Sequence, residues 1–488
     1  MNMAALLLPP LFLWCCAGVA SGQSPAAAAF RADLTAAENR MLRSPDGFQK
    51  IVMDIDLRLD RLEYHVHEKI TYTNNRPHPL ADICFTTHMR TYSGDVTLYE
   101  RTITGRTASF HDDPSGGFFR FMLAEALEPG ETLEIILDYS VTIPAAAPKN
   151  SRLFAYSEGC LMLDYFYPAP MVYGPHGWDT SRPLAYGDLV YNEATLFEVT
   201  FVHDATFGYA STGRTTGTVP LPHGDRVADT IVTGPVRGFF LAGGADWVKY
   251  GAPCGETRVT VSGRRGQAAR IKRALPLVVK AIKALSGLLV DYPYAEFDAV
   301  FIPAGWSAME FSGVVALGEN YLDTLGSPSG ELTFRNGELI LAHETIHQWF
   351  FGLVGNDQLN EPWLDEAFAQ YMAAFYFLET YGHGRADDYI RFLRRTAGEA
   401  LRTDVRVNLS VRAYKNGGAY TRAVYGKAPL FLHELRLKKG DVKFLDFARW
   451  YLNGNRWKIV STRQFLTQVD AFFGENLSGE FSRFFAPD

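Results

Sequence analysis

Cysteine is scarce in this sequence: there are five among 488 residues, and two of them, Cys15 and Cys16, lie in an apolar N-terminal segment. The other three, Cys84, Cys160 and Cys254, allow at most one intramolecular disulfide and leave one thiol over. No pair has the Cys-x-x-Cys spacing of thiolate metal sites and redox motifs. We therefore interpret the three as small buried side chains with no part in catalysis.

Positive charge and long apolar runs are also lacking. The formal net charge of −7 argues against a nucleic-acid partner, because nucleic-acid-binding proteins usually carry a basic surface. The body of the chain contains no apolar stretch long enough to span a bilayer. Hydrophobic residues make up 47% of the chain and charged residues 21%, so disorder is excluded as well. A length of 488 residues then predicts two or three folded domains.

The N-terminus differs in composition from the rest. Residues Ala4 to Ala20 are apolar and end in small residues, which predicts a signal peptide over residues 1–22, followed by a lead segment over 23–47. Pro9 and Pro10 disfavour a continuous membrane-spanning helix. We expect export to the periplasm or the extracellular space. The alternative is a membrane anchor formed by the same segment if it is not cleaved.

The hydrophobic period changes near residue 262. Before it, short alternating runs separated by turn residues predict an all-β domain over residues 48–262. The predicted strands are Val52–Asp60, Lys69–Thr73, Leu133–Val141, Thr195–Val202 and Arg258–Val261. After it, helical spacing dominates residues 263–488, with one buried strand at Phe297–Ile302. The predicted helices are Gln267–Leu289, Gly337–Phe351, Pro362–Thr380, Asp387–Ala397 and Thr421–Leu437, and Ser461 to Gln464 resembles a capping box.

The segment His343-Glu344-Thr-Ile-His347 is the strongest chemical signal in the chain. Histidines at positions i and i+4 lie on one face of a helix and can bind the same metal ion. Imidazole is a good zinc ligand, and Glu344 projects from a neighbouring part of that face, suited to a water molecule on the metal. The structural alternative is a core helix whose histidines are only hydrogen-bonded.

Glu366 is a candidate third ligand, and eighteen residues separate it from His347. Catalytic zinc sites usually have three protein ligands and one open position. Pro362 at a helix start and the apolar spacing around it predict that Glu366 lies on a second helix. Asp365 is better explained as an acidic residue in a first helical turn, favoured by the helix dipole. The sequence therefore predicts one Zn²⁺ held by His343, His347 and Glu366.

This spacing, within Trp-Leu-Asp-Glu366-Ala-Phe-Ala, resembles the gluzincin aminopeptidases of the aminopeptidase N family. The family's G-x-M-E-N motif is matched by Ser307-Ala308-Met309-Glu310-Phe311. The resemblance therefore implies that Ala308 and Met309 contact substrate and that Glu310 binds its free α-amine. Tyr425, in Tyr-Gly-Lys-Ala, resembles the family tyrosine and is implied as a donor to the transition state. Phe311 and Ser307 depart from the motif, which leaves substrate preference open.

The resemblance covers nearly the whole chain and implies a fold. It predicts a multidomain α and β protein, with an all-β, saddle-like N-terminal domain followed by a thermolysin-like, α-rich catalytic domain with a small sheet. About fifty residues follow the tyrosine helix, so we expect the short form without the family's C-terminal helical superhelix and with a more open active site. A second amine anchor is expected from the β domain, with Glu158 and Asp164 as weak candidates.

Together these features predict a zinc-dependent aminopeptidase acting on peptides with a free N-terminus, with Glu344 as general base. One alternative is a zinc endopeptidase, which would have no use for an amine anchor at Glu310. The other is a catalytically silent binding protein with a structural zinc, for which Glu344 and Tyr425 would have no purpose. The sequence does not indicate the oligomeric state or the preferred N-terminal residue.

Overall fold

The computed structural model describes residues 29–42, 44–92, 94–145, 153–175, 177–181, 186–188, 191–326 and 330–486. The predicted signal peptide lies outside these residues. The strands are β1 Gln49–Arg58, β2 Glu63–Thr73, β3 Leu80–Thr86, β4 Val96–Ile103, β5 Ala108–Asp113, β6 Phe118–Leu127, β7 Thr132–Thr142, β8 Phe154–Ser157, β9 Cys160–Leu163, β10 Ala169–Pro170, β11 Tyr173–Gly174, β12 Gly177–Trp178, β13 Thr195–Asp204, β14 Gly208–Ser211, β15 Arg214–Pro220, β16 Arg226–Val232, β17 Leu241–Gly244, β18 Trp247–Cys254, β19 Thr257–Arg264, β20 Glu296–Ile302, β21 Ala308–Phe311 and β22 Val314–Gly318.

Helices dominate the second half, and two short ones lie in the first half. In chain order the helices are α1 Ala36–Met41, α2 His88–Thr91, α3 Ala268–Leu288, α4 Gly337–Ile346, α5 Trp363–Tyr381, α6 His383–Ala397, α7 Gly417–Thr421, a π-helical segment Arg422–Lys427, α8 Ala428–Lys439, α9 Asp441–Gly454, α10 Thr462–Phe473 and α11 Leu477–Glu480. The capping box at the start of α10 is confirmed, since Ser461 and Gln464 exchange side-chain and backbone hydrogen bonds.

The first half is a stack of sheets. Its largest sheet has seven strands in the order β15-β16-β13-β1-β2-β7-β4, and two four-stranded sheets, β10-β3-β6-β5 and β14-β17-β9-β8, accompany it. β1 and β2 alternate buried and exposed side chains, as a half-buried strand requires. The predicted order of a β-rich half before an α-rich half is confirmed.

A five-stranded sheet in the order β18-β19-β20-β22-β21 includes strands from both sides of the predicted boundary. β19, β20 and β22 are parallel, while β21 is antiparallel to β22 and lies at the edge. The predicted boundary between residues 262 and 263 falls inside β19, which pairs with β18 on one side and β20 on the other. The division into domains at that point stays a prediction.

Two predicted helices end or change differently from the sequence pattern. The helix predicted to reach Phe351 ends at Ile346. Beyond it, the backbone amides of residues 352–354 bond to carbonyls five residues earlier, so the chain widens into a buried turn. The helix predicted over Thr421–Leu437 is present, but its first part is π-helical, because the segment Arg422–Lys427 lies between α7 and α8. Both turns bury apolar side chains, such as Phe350 and Val424, at the spacing expected of a helix, so their side-chain pattern imitates a continuous helix.

The prediction that the three cysteines of the body of the chain are buried holds for two of them, whereas Cys254 is half-buried. Cys84, Cys160 and Cys254 are free thiols, and the first two are buried. Within the described ranges, none of the helices is both long and apolar enough to cross a membrane.

Glu68 is an acid inside the β half. It lies on the buried face of β2, is fully buried, and accepts a hydrogen bond of 3.0 Å from the hydroxyl of Tyr139. Burial raises the pKa of Glu68 well above its usual range. The folded protein therefore keeps this proton to a higher pH than the unfolded chain does, and unfolding is favoured as pH rises above the usual range of a glutamate.

We expect Glu68→Gln to raise the thermal unfolding midpoint relative to the parent protein, and to do so more at pH 8 than at pH 4. The reason is that the variant carries no buried acid whose proton the unfolded chain would release. Thermal unfolding followed by circular dichroism at both pH values measures this. Glu125→Gln, at an exposed position of β6, is the matched control. It should leave the difference between the unfolding midpoints at pH 8 and pH 4 as it is in the parent protein. A stabilisation that is larger at pH 4 would contradict the argument.

Candidate metal centre

Helix α4 positions the two histidines. Its ten residues are all buried, and the side chain of Asn336 caps its first turn by accepting a hydrogen bond from the Leu339 amide. His343 lies in the last turn and His347 follows the final residue. The two Nε2 atoms are 3.2 Å apart. A helix buried on every side holds both rings in fixed positions.

Glu366 comes from the first turn of α5, which packs against α4. Its Oε2 is 3.2 Å from Nε2 of His343 and 3.6 Å from Nε2 of His347. The start of α5 is anchored by Trp363, which is fully buried and donates from Nε1 to the Thr462 hydroxyl at 2.8 Å. The structure therefore brings together the three predicted ligands.

The geometry of these three atoms fits zinc. Bonds of about 2.0–2.2 Å place the ligand atoms of a tetrahedral zinc site roughly 3.3–3.6 Å apart. The separations in this structure, 3.2 to 3.6 Å, match that spacing. Nδ1 of His347 is 3.0 Å from the Phe350 carbonyl oxygen. Because a carbonyl oxygen only accepts hydrogen bonds, Nδ1 carries the hydrogen and Nε2 is left as the ligand atom.

The two histidines and Glu366 shift one another's pKa values. Burial alone would raise the pKa of Glu366, but hydrogen bonds and charge from His343 and His347 outweigh burial and hold its pKa well below the usual range. Burial opposes protonation of His347, yet the carboxylates of Glu310 and Glu366 raise its pKa well above the usual range. Glu366 is therefore ionised, as a metal ligand must be.

Glu344 lies one residue beyond His343 and is also buried. Burial, and then the charge of Glu310, raise the pKa of Glu344 well above the usual range of a carboxylic acid. A carboxylate whose pKa is shifted towards neutrality can accept and return a proton.

Glu310 lies on the edge strand β21 and is buried. One oxygen atom of Glu310, one nitrogen of His347 and one oxygen of Asp365 all lie within 4.8 Å of one another. Nε2 of Gln358 donates to Glu310 Oε1 at 3.0 Å and to Asp365 Oδ2 at 2.5 Å. Ala308 and Met309, the other predicted substrate contacts, are half-buried on the same strand.

Asp365 differs from the simple helix-dipole interpretation. It is buried and accepts hydrogen bonds from Asn356, at 3.0 Å, and from Gln358. Burial, followed by the charge of Glu366, raises the pKa of Asp365 to about 7. It therefore belongs to an acidic network next to Glu310, and the sequence pattern gave no sign of this.

Tyr425 lies in the π-helical segment, where π turns often mark functional sites. Its hydroxyl donates to Glu366 Oε1, and its ring centroid is 6.0 Å from that of His343. Burial and the charge of Glu366 raise its pKa well above that of an ordinary tyrosine, so the hydroxyl stays protonated. Gly426 allows this turn to approach α6, because a Cβ there would lie 2.3 Å from the Ala397 nitrogen.

The predicted second amine anchors have different surroundings. Glu158 is exposed and pairs with Arg264 at 2.9 Å, which fits a surface turn acid. Asp164 is buried beside Tyr165. Asp188 was indicated by no motif; burial, followed by the charges of Glu310 and Glu366, raises its pKa well above the usual range.

The predicted metal ligands, Glu344, Glu310 and Tyr425 all fall within one matched segment. Residues 274–484 match the Peptidase family M1 domain. Residues 274–484 of this chain belong to the M1 peptidase family. The family assignment that His343, His347 and Glu366 indicated is therefore confirmed, and zinc is the metal that this family implies.

Several relatives of this M1 domain are aminopeptidases by name. Leucine aminopeptidase 2 of Yarrowia lipolytica is 24% identical over 213 residues, covering 40% of this chain and 31% of that protein. Endoplasmic reticulum aminopeptidase 2 of Homo sapiens is 35% identical over 104 residues, covering 20% of this chain and 10% of that protein. Each match therefore spans less than a third of the relative's length.

A solved M1 zinc metallopeptidase from Deinococcus radiodurans has the same fold. It superposes with a TM-score of 0.67 at 20% identity, covering 89% of this chain and 92% of that one. A variant of that protein bound to a Tyr-Ser-Ala substrate gives a TM-score of 0.66, covering 90% of this chain and 95% of that one. The two-part architecture therefore extends beyond the matched M1 segment.

Phe311, the departure from the family motif, has a packing role in this M1 domain. Its ring stacks on that of Phe240 with centroids 4.0 Å apart, and it is buried. Its carbonyl accepts a 2.9 Å hydrogen bond from Nε2 of Gln348, which follows His347. This bond fixes the strand of Glu310 relative to the helix of the metal ligands.

We expect Gly426→Ala to reduce the free energy of unfolding by about 1–3 kcal/mol, the usual cost of overpacking a tight contact. The new Cβ would meet the backbone of α6, which cannot move away as a flexible side chain can. Denaturant unfolding measures the loss. The control is Gly454→Ala at the end of α9, where a Cβ meets no atom within 4 Å. Equal effects of the two substitutions would contradict the steric argument.

Proposed function

We propose that this protein is a zinc-dependent aminopeptidase that removes the N-terminal residue from peptides. The observation that carries the proposal is the proximity of Glu310 to the metal ligands, with ligand atoms of Glu310 and His347 within 4.8 Å. An acid there can hold a substrate's ammonium group beside the first peptide bond. Such proximity would restrict cleavage to the first bond of a free N-terminus.

Glu310 would bind the α-ammonium group, and Gln358 would keep its carboxylate oriented through the hydrogen bond at Oε1. Strand β21 supports the same binding mode because it lies at the edge of its sheet, next to β22. The backbone of Ala308 and Met309 would pair with an extended peptide as an added strand. The Tyr-Ser-Ala peptide held by the Deinococcus variant is a ligand of this chemical class.

His343, His347 and Glu366 would hold a single zinc ion. A zinc ion bound there supplies Lewis acidity towards the scissile carbonyl and a water molecule. Glu344 would take the proton from that water and return it to the leaving amine. Its burial supports this role, because a carboxyl group with a raised pKa holds a transferred proton well.

Tyr425 would donate its hydroxyl hydrogen bond to the oxygen on which negative charge develops. A donor of this kind typically contributes about 3–4 kcal/mol to the transition state. The raised pKa of Tyr425 supports the role, since only the protonated hydroxyl can donate. The hydroxyl already lies beside the metal ligand Glu366.

The apolar residues 4–20 support a further part of the proposal, that the chain is exported. Detection of the mature chain in a periplasmic or culture-supernatant fraction, with a new N-terminus after residue 20 or 22, tests it. Retention of the complete chain in the membrane fraction would instead indicate an uncleaved anchor.

We expect aminoacyl anilides with a free amine to be cleaved, and their N-acetylated counterparts to be cleaved at least about 100-fold more slowly. The reason is that acetylation removes the charge that Glu310 would bind. Chromogenic release, with and without a zinc chelator, measures both substrate sets. Activity should disappear with chelator and return with added zinc.

The other outcomes of that measurement separate the alternatives. Equal cleavage of acetylated substrates would remove Glu310 from its role and favour an endopeptidase. Absence of any cleavage by protein shown to contain zinc would favour a binding protein with a structural metal.

We expect Glu344→Gln to lower kcat by a factor of about 10²–10⁴ while zinc content stays at one ion per chain. The amide has almost the same shape as the carboxyl group but cannot accept the proton from water. Turnover of a free-amine anilide and metal analysis of the purified variant measure the two properties. Loss of zinc from this variant would contradict the assignment of Glu344 as the base.

A further inference from the structure

Arg237 is a buried arginine in the segment between β16 and β17. Only 2% of its surface is exposed. Its three guanidinium nitrogens donate to backbone carbonyls of three separate segments: Nε to Phe351 at 2.6 Å, Nη1 to Asn192 at 3.0 Å and Nη2 to Lys458 at 2.8 Å. One side chain from the β half is therefore joined to the chain immediately after the metal-binding helix.

Phe351 is held in an unusual backbone conformation. Its φ angle is 120°, a region that residues other than glycine rarely adopt and that costs on the order of 1–3 kcal/mol. Such a conformation persists only where surrounding contacts hold it. The bond from Arg237 to the Phe351 carbonyl is one contact, and the 2.8 Å bond from the Phe351 amide to the Val354 carbonyl is another.

The strained residue is adjacent to the group that orients a metal ligand. The carbonyl of Phe350, one residue earlier, lies 3.0 Å from Nδ1 of His347. That contact sets the ring orientation of His347 and its tautomer, with Nε2 towards Glu366. A shift of the Phe350–Phe351 segment would therefore rotate or release the imidazole.

The site is shaped around the guanidinium group. Gly355 lies against it, and a Cβ at this position would be 2.3 Å from Cζ and 2.5 Å from Nε of Arg237. The Gly355 amide donates a 2.9 Å hydrogen bond to the Lys458 carbonyl, which also accepts from Nη2 of Arg237. The backbone amide of Arg237 also donates to the Ser312 hydroxyl at 3.2 Å, just beyond the strand of Glu310.

We propose that Arg237 is a positioning residue for the metal site, holding the Phe350–Phe351 backbone so that His347 presents Nε2 to the zinc ion. The proposal depends on the metal site of the proposed function but not on peptidase activity. A merely structural arginine would stabilise the fold without changing zinc affinity. Partners that orient a ligand typically change metal affinity 10–100-fold when they are removed.

The test compares Arg237→Lys with Arg226→Lys. Arg226 is a matched control because it also donates to backbone carbonyls, those of Leu57 and Val202, but lies within the β half. Zinc dissociation constants are measured by competition with a chelator of known affinity, on variants shown to be folded by circular dichroism. We expect a dissociation constant at least tenfold higher for Arg237→Lys and within twofold of the parent for Arg226→Lys.

Gly355→Ala gives a second test that leaves the arginine in place, since its Cβ would displace the guanidinium group. We expect the same loss of zinc affinity, and this variant decides the matter if Arg237→Lys does not fold. Unchanged zinc affinity in either folded variant would overturn the proposal, as would an equal loss in Arg226→Lys. A protein that binds zinc with the expected differences but cleaves no peptide would refute the proposed function and leave this inference standing.

Discussion

Several carboxyl groups buried near two imidazoles are the constraint on which this site depends. Glu310, Glu344, Asp365 and Glu366 are each at most 6% exposed, and the two histidines lie among them. Like charges held out of water cannot all remain ionised without compensation. Burial and the neighbouring carboxylates therefore raise the pKa values of Glu344 and Asp365. The proposed zinc ion and the ammonium group of the proposed substrate would both compensate this negative charge.

The surrounding fold keeps these groups in position by making their supports rigid. Helix α4 is buried on every side, α5 is fixed at its start by Trp363, and Glu310 lies on a strand of the five-stranded sheet. Gln348 joins two of these elements, since its side chain accepts from the Gly313 amide and donates to the Phe311 carbonyl. The distances between ligands therefore depend on secondary structure rather than on loops.

Much of this could be predicted from local patterns. Alternation predicted β1, β2, β7 and β13, and the i, i+4 histidines with Glu366 predicted the convergence of three ligand atoms. What the sequence could not reveal depends on contacts between distant segments. The widened turn after His347 and the π turn at Tyr425 have the same apolar spacing as a helix. Arg237, Gln358 and Asp188 belong to no motif, and their roles follow from which carbonyl or carboxylate lies beside them.

The edge position of β21 has a consequence for how a long peptide would be processed. A peptide paired with this strand points alternate side chains towards opposite faces, so a shift by one residue turns every side chain over. Removal of a single N-terminal residue requires such a shift before the next cut. If peptides bind β21 as proposed, the shortened chain would have to leave the strand and bind again, and trimming would be distributive rather than processive.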